Sequence, residues 1–390
     1  MTNQNKNKTE KRLTETEKLL TEHPIIEKEK PLIEHSMKGH PTDTQELPHK
    51  RRVRYKGTHP KTYKEKYKER QPEKYADTIE KVIQKGSTPA GMHISICVNE
   101  ILEFLQIKPG QKGLDATLGY GGHTREMLKC LESKGHMYAL DVDPIEIVKT
   151  RERLLNLGFG PEILTIKQLN FANIDEIVKE AGLFDFVLAD LGVSSMQIDN
   201  PDRGFSFKTE GPLDLRLNPE KGISAAERLS AISQTELQGM LIENSDEPYA
   251  EEISRAIVNE IKRGNKIDTT SKLRDLISKV LVFIPEKERK EAIKKTCQRT
   301  FQALRIDVNN EYEVLYSFLE KLPNVLAKGG RVAILTFHSG EDRLVKKSFK
   351  NLQREGIYSE VSEEVIRPSA EECNRNPRAR STKMRWAIKA

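Results

Sequence analysis

Apolar residues recur along this chain in two alternating patterns. His93–Leu105 carries them at helical spacing and stops at a Lys-Pro-Gly turn, which predicts a helix. Four short apolar runs follow and predict strands over Gly113–Thr117, Met137–Val142, Ile163–Ile166 and Phe184–Leu188. Between them, helical patterns span Thr124–Glu132, Pro144–Leu157 and Asn173–Glu180. Short apolar strands alternating with helices predict a parallel sheet that is covered on both faces.

The alternation pauses between residues 199 and 297, where helical patterns dominate. Ser224 and Ser233 each precede a Glu by three residues, the arrangement of a capped helix start. Pro248–Arg263 and Lys272–Phe283 are amphipathic at helical spacing. After this region the patterns predict a helix over Asn309–Leu322, a turn at Lys328-Gly329-Gly330 and strands over Arg331–Phe337 and Lys383–Ile388. We therefore expect an α/β core over 86–198 and 298–390, interrupted by a helical insert over 199–297 that recognises the substrate.

The first 85 residues differ from the rest in composition. The 390-residue chain has a formal net charge of +6, yet residues 1–85 hold 21 Lys and Arg against 14 Asp and Glu. The remaining 305 residues hold 44 against 45, so the basic excess belongs to the N-terminal segment. Such a polar segment buries too little apolar surface to fold, which predicts a disordered extension. Its most basic part, Lys50–Arg70, has ten cations interleaved with tyrosines; this suits RNA binding, and a solubilising tail is the alternative.

Several classes of protein are excluded by absent features. No apolar run approaches the roughly 20 residues of a membrane helix, and the N-terminus lacks the apolar stretch of a signal peptide. The four cysteines lie far apart without a Cys-x-x-Cys pair. This spacing is typical of reduced thiols rather than disulfides or zinc ligands. We expect a cytoplasmic protein without a metal site.

A glycine-rich turn follows the first predicted strand, within Leu114–Thr124. At the carboxyl end of a strand, such a turn brings the backbone close to a ligand. Thr124 stands where a dinucleotide fingerprint needs glycine, and no Gly-Lys-Ser/Thr of a phosphate loop is present. Asp141 ends the second strand, where a carboxylate can accept hydrogen bonds from ribose hydroxyls, whereas Asp143 before a proline is typical of a helix N-cap. Together these features favour an adenosine-containing cofactor without a pyrophosphate, and S-adenosyl-L-methionine fits that description.

Asp190 ends the fourth predicted strand. In a fold that binds adenosylmethionine, this strand end faces the reactive methyl group and its acceptor. The Asp190 carboxylate is therefore our candidate catalytic group, which would orient an acceptor amine; the alternative is a contact with the cofactor's own amino group. Gln197 follows Ser194 by three residues, so its alternative interpretation is a capping box.

Seven motifs carry a resemblance to a known family. They occur in the following order: Asp115-Ala-Thr-Leu-Gly-Tyr-Gly-Gly-His123, Asp190-Leu-Gly-Val-Ser-Ser195, Arg203-Gly-Phe-Ser-Phe207, Gly211-Pro-Leu-Asp-Leu-Arg216, Arg299-Thr-Phe-Gln-Ala-Leu-Arg305, Phe337-His-Ser-Gly-Glu-Asp-Arg343 and Asn376-Pro-Arg-Ala-Arg-Ser381. Over residues 90–390 the chain resembles the bacterial 16S ribosomal RNA cytosine-N4 methyltransferases (small-subunit methyltransferase H, also called MraW). The resemblance implies a Rossmann-like, class I S-adenosylmethionine-dependent methyltransferase with a helical insert domain. It also implies methylation of N4 of a decoding-centre cytidine in 16S rRNA of the small ribosomal subunit.

The resemblance further implies which residues contact the cofactor and the RNA. The cofactor contacts carry over to Gly121, Gly122, His123, Asp141, Phe171, Asp190 and Gln197. The candidates for RNA contacts are Arg299, Arg305, His338, Arg378, Arg380 and Arg385. A solvated surface is the alternative for each arginine, and helix capping by Ser339 and Asp342 is the alternative to a substrate-facing His338. Residues 367–390 hold seven cations against two acids, which favours the C-terminal arginines.

The sequence departs from the usual family pattern in three places. Residues 1–85 have no counterpart there, Met196 stands where Pro is common, and Gly340 stands where Leu is common. Neither substitution removes one of the polar contacts that the resemblance implies.

Two further functions are compatible with the same fold. One is methylation of DNA or protein amines, which the Asp190-Leu-Gly-Val run disfavours, because such enzymes commonly show Asp/Asn-Pro-Pro-Tyr/Phe at that place. The second is that of a non-catalytic ribosome-assembly factor, which the intact cofactor motifs disfavour. For the oligomeric state, a homodimer is compatible with the sequence.

Overall fold

A single seven-stranded sheet organises the part of the chain that the computed structural model describes, residues 95–390. The extension over 1–85 and the start of the helix predicted from His93 lie outside the described residues. The strand order is β3-β2-β1-β4-β5-β7-β6. The strands are β1 (Lys112–Asp115), β2 (His136–Asp141), β3 (Leu164–Gln168), β4 (Phe184–Asp190), β5 (Leu326–Thr336), β6 (Tyr358–Val361) and β7 (Lys383–Lys389).

The first five strands are parallel. β1 pairs with both β2 and β4, β2 pairs with β3, and β4 pairs with β5. β7 runs antiparallel to both β5 and β6. The chain winds outward from β1 in one direction through β2 and β3, and from β4 in the other direction. The carboxyl ends of the strands at such a reversal form a crevice in which open α/β sheets bind ligands.

Helices cover both faces of the sheet. Side chains alternate along β4, so that Phe186 and Leu188 join one buried cluster while Val187 and Ala189 join another. Helices α1 to α3 pack on the first face, and α4, α11 and α12 pack on the second. The helices are α1 (Val98–Leu105), α2 (Gly122–Leu131), α3 (Pro144–Asn156), α4 (Ile174–Ala181), α5 (Ser195–Asp199), α6 (Ala225–Ala231), α7 (Gln234–Ser245), α8 (Ala250–Lys262), α9 (Thr270–Val280), α10 (Glu286–Asn309), α11 (Glu311–Val325), α12 (Ser339–Arg354) and α13 (Ala370–Arg375).

Helices α6 to α10 form the insert and have a buried core of their own. The expected boundary at 297/298 is wrong, because α10 runs across it without a break. Phe301 and Leu304, beyond that boundary, pack in the core of the insert. The insert therefore extends to the end of α10, since a continuous helix carries its apolar face past residue 298.

The predicted elements overlap the observed ones, with two informative differences. The Lys328-Gly329-Gly330 segment, predicted as a turn, lies within β5, which begins at Leu326. Pairing with β4 shifts register there, between Phe184 and Phe186, so the glycines accommodate an irregular strand. The sequence pattern does not predict β6, because its four residues include two exposed polar ones. Within residues 95–390, no helix has both the length and the apolarity required to cross a bilayer.

Candidate active site

A cavity of about 790 Å³ lies at the carboxyl ends of β1, β2, β4 and β5. The turn after β1 lines one wall together with Asp141 and Phe171. The opposite wall is formed by the insert, through Gln298, Phe301 and Arg305 of α10. The volume falls in the range of small-molecule sites, and a ligand in this cavity touches both the sheet and the insert.

The glycine turn shapes the wall next to β1. Gly119 and Gly121 adopt positive φ angles of 47° and 75°, which glycine tolerates best. A Cβ atom on Gly121 would lie 2.9 Å from Cγ2 of Thr150, so α3 packs closely on this turn. The Gly119 N–H donates to Oδ2 of Asp141 at 2.7 Å. Gly122 begins α2 and lines the cavity.

The two carboxylates after β2 have different partners. Asp143 caps α3, because its Oδ1 accepts hydrogen bonds from the backbone N–H groups of Ile145 and Glu146; this confirms its interpretation as an N-cap. The oxygens of Asp141 accept from the N–H groups of Asp143, at 2.9 Å, and of Gly119. Burial raises the pKa of Asp141 to about 6. A carboxylate retains further lone pairs after two hydrogen bonds, so Asp141 can still accept from a ligand hydroxyl.

Asp190 and His123 form a pair at the end of β4. Nε2 of His123 lies 2.9 Å from the carbonyl oxygen of Ile96, and Nδ1 lies 3.6 Å from Oδ2 of Asp190. Because a carbonyl oxygen only accepts hydrogen bonds, Nε2 of His123 carries a proton. A hydrogen bond between Nδ1 of His123 and Oδ2 of Asp190 then needs one more proton, on either the ring or the carboxyl group. Burial raises the pKa of Asp190 to about 6, and His123 opposes that rise. Oδ1 of Asp190 is buried without a hydrogen-bond partner, so this cavity-lining residue has unmet acceptor capacity.

Gly121 and His123 lie next to the cavity but do not line it. Gly122 and Asp190 line it directly, whereas Gly121 and His123 lie behind its wall in the described structure. His123 contacts Asp190, which lines the cavity, and Gly121 sets the conformation of the turn that forms the wall. The cofactor contact expected of these two residues stays a prediction.

Phe171 and Gln197 both line the cavity. Phe171 packs edge-on against Phe318, with ring centroids 5.1 Å apart, and its position beyond Asp141 suits an aromatic base. Gln197 completes a capping box with Ser194 and also donates from Nε2 to Oδ2 of Asp143 at 2.9 Å. The capping interpretation of Gln197 is therefore confirmed, and any contact with a cofactor would be additional to it.

Four ionisable side chains meet beside Asp190, on the insert side of the cavity. Arg305 donates from Nε and Nη2 to the two oxygens of Glu311 at 2.8 and 2.9 Å. Nε2 of His338 lies 3.1 Å from Oε1 of Glu341, and ligating atoms of Glu311, His338 and Glu341 all lie within 4.8 Å of one another. Burial opposes ionisation of Glu341, yet the close approach of His338 and the charge of Arg305 hold its pKa below the usual value. Glu341 is thus an anion at neutral pH, held between two potential cations.

His338 itself is the N-cap of α12. Its Nδ1 accepts, at 3.5 Å, from the backbone N–H of Glu341, so the expected cap at Ser339 is wrong by one residue. His338 also lines the cavity. The two ring nitrogens of His338 therefore both face Glu341: Nδ1 faces its backbone N–H, and the buried Nε2 faces its carboxylate.

The arginines predicted to contact RNA have unequal surroundings. The expectation that Arg385 contacts RNA is wrong. Its side chain is 5% exposed and donates from Nε to Asp342 at 2.6 Å. Arg385 therefore holds β7 to α12 and cannot reach a phosphate. Arg378 lines the cavity and pairs with Asp199 at 2.8 Å. Arg380 is exposed, whereas Arg299 is half-buried.

Sequence reasoning missed the roles of Glu311 and Arg203. Glu311 reads as an ordinary acid in the first turn of a helix, and only the fold brings it to Arg305. Nη1 of Arg203 donates to Oδ2 of Asp143 at 2.7 Å, and both side chains are buried. Arg203 begins one of the seven motifs, but no local pattern indicates a partner sixty residues away.

The strand order with an antiparallel β7, and a glycine turn and acid at the carboxyl ends of β1 and β2, define a class I S-adenosylmethionine-dependent methyltransferase. The residues present fit this cofactor, because the cavity offers an aromatic surface, an acceptor for hydroxyls and the unsatisfied oxygen of Asp190. The model of the MraW methylase family matches residues 90–390. The chain therefore belongs to that family.

Individual relatives match over most of their length. The "Ribosomal RNA small subunit methyltransferase H 1" of Lachnoclostridium phytofermentans is 90% identical over 354 residues, covering 91% of this chain and 97% of that protein. The "Ribosomal RNA small subunit methyltransferase H 2" of Alkaliphilus metalliredigens is 71% identical and covers 89% and 100%. The relative from Clostridioides difficile is 38% identical and covers 76% and 98%.

These alignments revise the expectation for the N-terminal extension. The family model leaves out residues 1–89, in agreement with the expectation that 1–85 lie outside the common pattern. The first two relatives match more of the chain than residues 90–390 contain, so part of the extension has a counterpart in them. That part of the segment is thus shared within a subset of the family.

Proposed function

We propose that the protein transfers a methyl group from S-adenosylmethionine to N4 of a decoding-centre cytidine in 16S rRNA of the small ribosomal subunit, in the bacterial cytoplasm. Relatives at 90% and 71% identity are named ribosomal RNA small subunit methyltransferases, which supports an rRNA substrate. The observation that carries the choice of an amine acceptor is Asp190. Its buried Oδ1 lacks a hydrogen-bond partner, and an amino group is the type of acceptor that can donate to it.

The cofactor would be held by the wall that the sheet provides. Asp141 would accept from its ribose hydroxyls, and Phe171 would cover its adenine. Gly121, Gly122 and Gln197 would shape the remaining wall, and His123 would hold Asp190. When bound, the cofactor supplies an electrophilic methyl group on a positively charged sulfur and leaves as a neutral thioether.

The residues around Asp190 would orient the acceptor. The N4 amine of cytosine is conjugated with its ring and is a poor nucleophile, so most of the rate acceleration must come from positioning. Asp190 would accept a hydrogen bond from N4 and then take its proton as the new carbon–nitrogen bond forms and the carbon–sulfur bond breaks. His338 and Arg305 face the same cavity and would contact the base or its backbone. The base must leave its stack to enter the cavity.

The decisive experiment measures methyl transfer from labelled cofactor into unmethylated small ribosomal subunits, followed by identification of the modified nucleoside. We expect N4-methylcytidine at a single decoding-centre position. Incorporation into DNA or protein instead would contradict the proposal and favour a methyltransferase of the same fold with a different substrate. No incorporation despite tight RNA binding would contradict it in favour of a non-catalytic assembly factor.

A further inference from the structure

Helix α12 carries an unusual concentration of exposed positive charge. Its solvent-facing cations are Arg343, Lys346, Lys347, Lys350 and Arg354. The two acids of this helix, Glu341 and Asp342, are buried and engaged with His338 and with Arg385 and Lys383. The exposed charge of α12 is therefore exclusively positive.

Helical geometry gathers most of these cations into one row. Arg343, Lys347, Lys350 and Arg354 are spaced by four, three and four residues, which places them along one side of the helix. Val345 and Phe349 occupy the other side and pack in the core beneath the sheet. Over its 16 residues the helix is about 24 Å long. We call this row, together with Lys346, the α12 stripe.

The cations of the α12 stripe have no carboxylate partner. Among residues 95–390, none of the five lies within ion-pair distance of a carboxylate, unlike Arg378, Lys383 and Arg385. Glu363 and Glu364 share a surface groove with Lys346, Lys350 and Arg354, and they offset part of the charge there without pairing. Exposed cations held close together without counter-charges repel one another, and an anionic partner relieves that repulsion.

The α12 stripe leads away from the active site. His338, the N-cap of α12, lines the cavity. Arg343 is close enough to Tyr312, at the start of α11, to oppose the rise in pKa that burial imposes on its hydroxyl. From that end the stripe follows the flank of the sheet for the length of the helix.

We propose that the α12 stripe binds phosphates of the RNA strand that flanks the methylated base. The proposal rests on the proposed function, and it assigns the RNA-binding surface to residues other than the C-terminal arginines. The first cation of this row follows the cavity-lining Glu341 by two residues. A row of unpaired cations that leads from there matches the regular negative charge of a nucleic-acid backbone. It would guide the strand so that one base enters the cavity while its neighbours stay outside.

The test compares the salt dependence of binding to unmethylated small ribosomal subunits for two triple variants of the full-length chain. The first removes stripe charges through Lys347→Gln, Lys350→Gln and Arg354→Gln. The matched control is Lys108→Gln, Lys134→Gln and Lys328→Gln, three exposed lysines without ion pairs among residues 95–390, which lie before β1, before β2 and at the start of β5 and not on α12. Calorimetric binding of S-adenosylhomocysteine reports whether each variant keeps an intact cofactor site.

We expect the stripe variant to show a dependence of log K on log salt that is shallower by about two to three units, since each phosphate contact contributes somewhat less than one. If the variant and the wild type bind equally at 1 M salt, a slope that is shallower by two units corresponds to about 100-fold weaker binding at 0.1 M salt. Cofactor binding should not change. The inference is overturned when the stripe variant keeps the wild-type slope, or when the control variant loses as much.

The two proposals fail in different ways. If the wild-type protein neither binds nor methylates the subunits, the proposed function is wrong, and the α12 inference falls with it. If the wild-type protein methylates them and the stripe variant does so with an unchanged salt slope, the proposed function stands and the inference alone is wrong.

Discussion

Asp190 combines two properties at the wall of the cavity. Burial raises its pKa to about 6, and one of its oxygens has no partner. Buried groups with shifted pKa values concentrate at functional sites, where the shift adapts them to proton transfer near neutral pH. The residue thus carries a cost to stability, which a hydrogen-bond donor bound in the cavity would offset.

Replacement of Asp190 by Asn should reduce the rate of methyl transfer by about 100-fold or more, since an amide cannot take the amine proton. Single-turnover methylation measures the effect, and cofactor affinity should change far less. Asp185→Asn is the matched control, because Asp185 lies at the other end of β4 and accepts from the Lys112 N–H. An Asp190→Asn variant with full turnover would show that the carboxylate serves only the cofactor.

The wild-type rate should rise with pH through about 6 and then level off. Asp190 accepts a proton only when ionised, and its raised pKa keeps it protonated below that value. Single-turnover rates between pH 5 and 8, at saturating cofactor, provide the measurement. A flat profile over this range would contradict a role for the ionised carboxylate.

Gly340 shows how a departure from the family pattern is accommodated. A Cβ atom at this position would lie 2.1 Å from the hydroxyl oxygen of Tyr312 and 3.1 Å from Nδ1 of His338. Tyr312 therefore occupies the space that a side chain at 340 would need, and it packs beside the His338 ring at 6.1 Å.

Gly340→Leu should consequently destabilise the protein by about 1–3 kcal/mol, the usual cost of overpacking. Replacing Tyr312 by Ala in the same chain should restore much of that loss, because it removes the colliding ring. Chemical denaturation of the two single variants and the double variant gives the coupling energy. Purely additive effects would mean that the two positions do not compete for space.

At the scale of elements, a buried ion pair joins the segment before the insert helices to the start of α3. Asp143 at the start of α3 is fully buried and pairs with Arg203. Arg203 also donates from Nη2 to the carbonyl oxygens of Arg216 and Leu217. Asn309, at the end of α10, accepts from the Leu217 N–H. The segment before the insert helices is thereby fastened both to the sheet and to α10.

Arg203→Ala should lower the free energy of unfolding by about 3–5 kcal/mol, because it leaves the buried Asp143 charge without its partner. Urea denaturation measures this loss. Arg216→Ala is the control from the same segment: Arg216 pairs with Asp214, and both side chains are 19% exposed. That pair should contribute no more than about 1 kcal/mol. Equal losses in the two variants would contradict a special role for the buried pair.

At the scale of the whole molecule, three carboxylates gather at the carboxyl edge of the sheet; Asp115 is buried, and Asp141 and Asp190 are half-buried. Asp115, Asp141 and Asp190 end β1, β2 and β4, and burial raises the pKa of each. Between the unfolded value of 3.8 and about 6, the folded chain binds more protons than the unfolded chain. The stability contributed by these groups is therefore lost as pH rises through that window. Glu341 and Asp342, whose pKa values are lowered, act in the opposite direction but at lower pH.

Without cofactor, the melting temperature should therefore be lower at pH 7.5 than at pH 5.5, on the two sides of the raised pKa values of about 6. Saturating S-adenosylmethionine should raise it more at the higher pH, because the cofactor's positive charge is attracted to the ionised carboxylates. Differential scanning calorimetry at both pH values, with and without cofactor, tests this expectation. In the Asp190→Asn variant, the melting temperatures at the two pH values should differ by less than in the wild type. An unchanged difference in melting temperature would argue against the carboxylates as its cause.

Local patterns are sufficient for most of the fold. Strands β1 to β4 and the helices between them follow from apolar spacing, and the neighbours of Asp143 identify it as a cap. Capping and periodicity depend on residues within a few positions of one another, so the chain itself contains the information. The glycine turn, Asp141 and Asp190 can be found because parallel strands present their carboxyl ends at one edge.

Tertiary structure decides what depends on contacts between distant segments. Arg385 resembles a phosphate ligand in a basic C-terminus, yet it is buried against Asp342, and an exposed basic surface lies on α12 instead. The sequence also does not predict the partners of Arg305 and Arg203 or the end of the insert. The physical reason is that charge counts and spacing specify which groups are present, whereas burial and ion pairing depend on which groups the folded chain brings within a few ångströms. The sequence alone thus determined the class of fold and which strand ends form one wall of the cavity, and the tertiary structure decided which cations stay exposed and unpaired among residues 95–390.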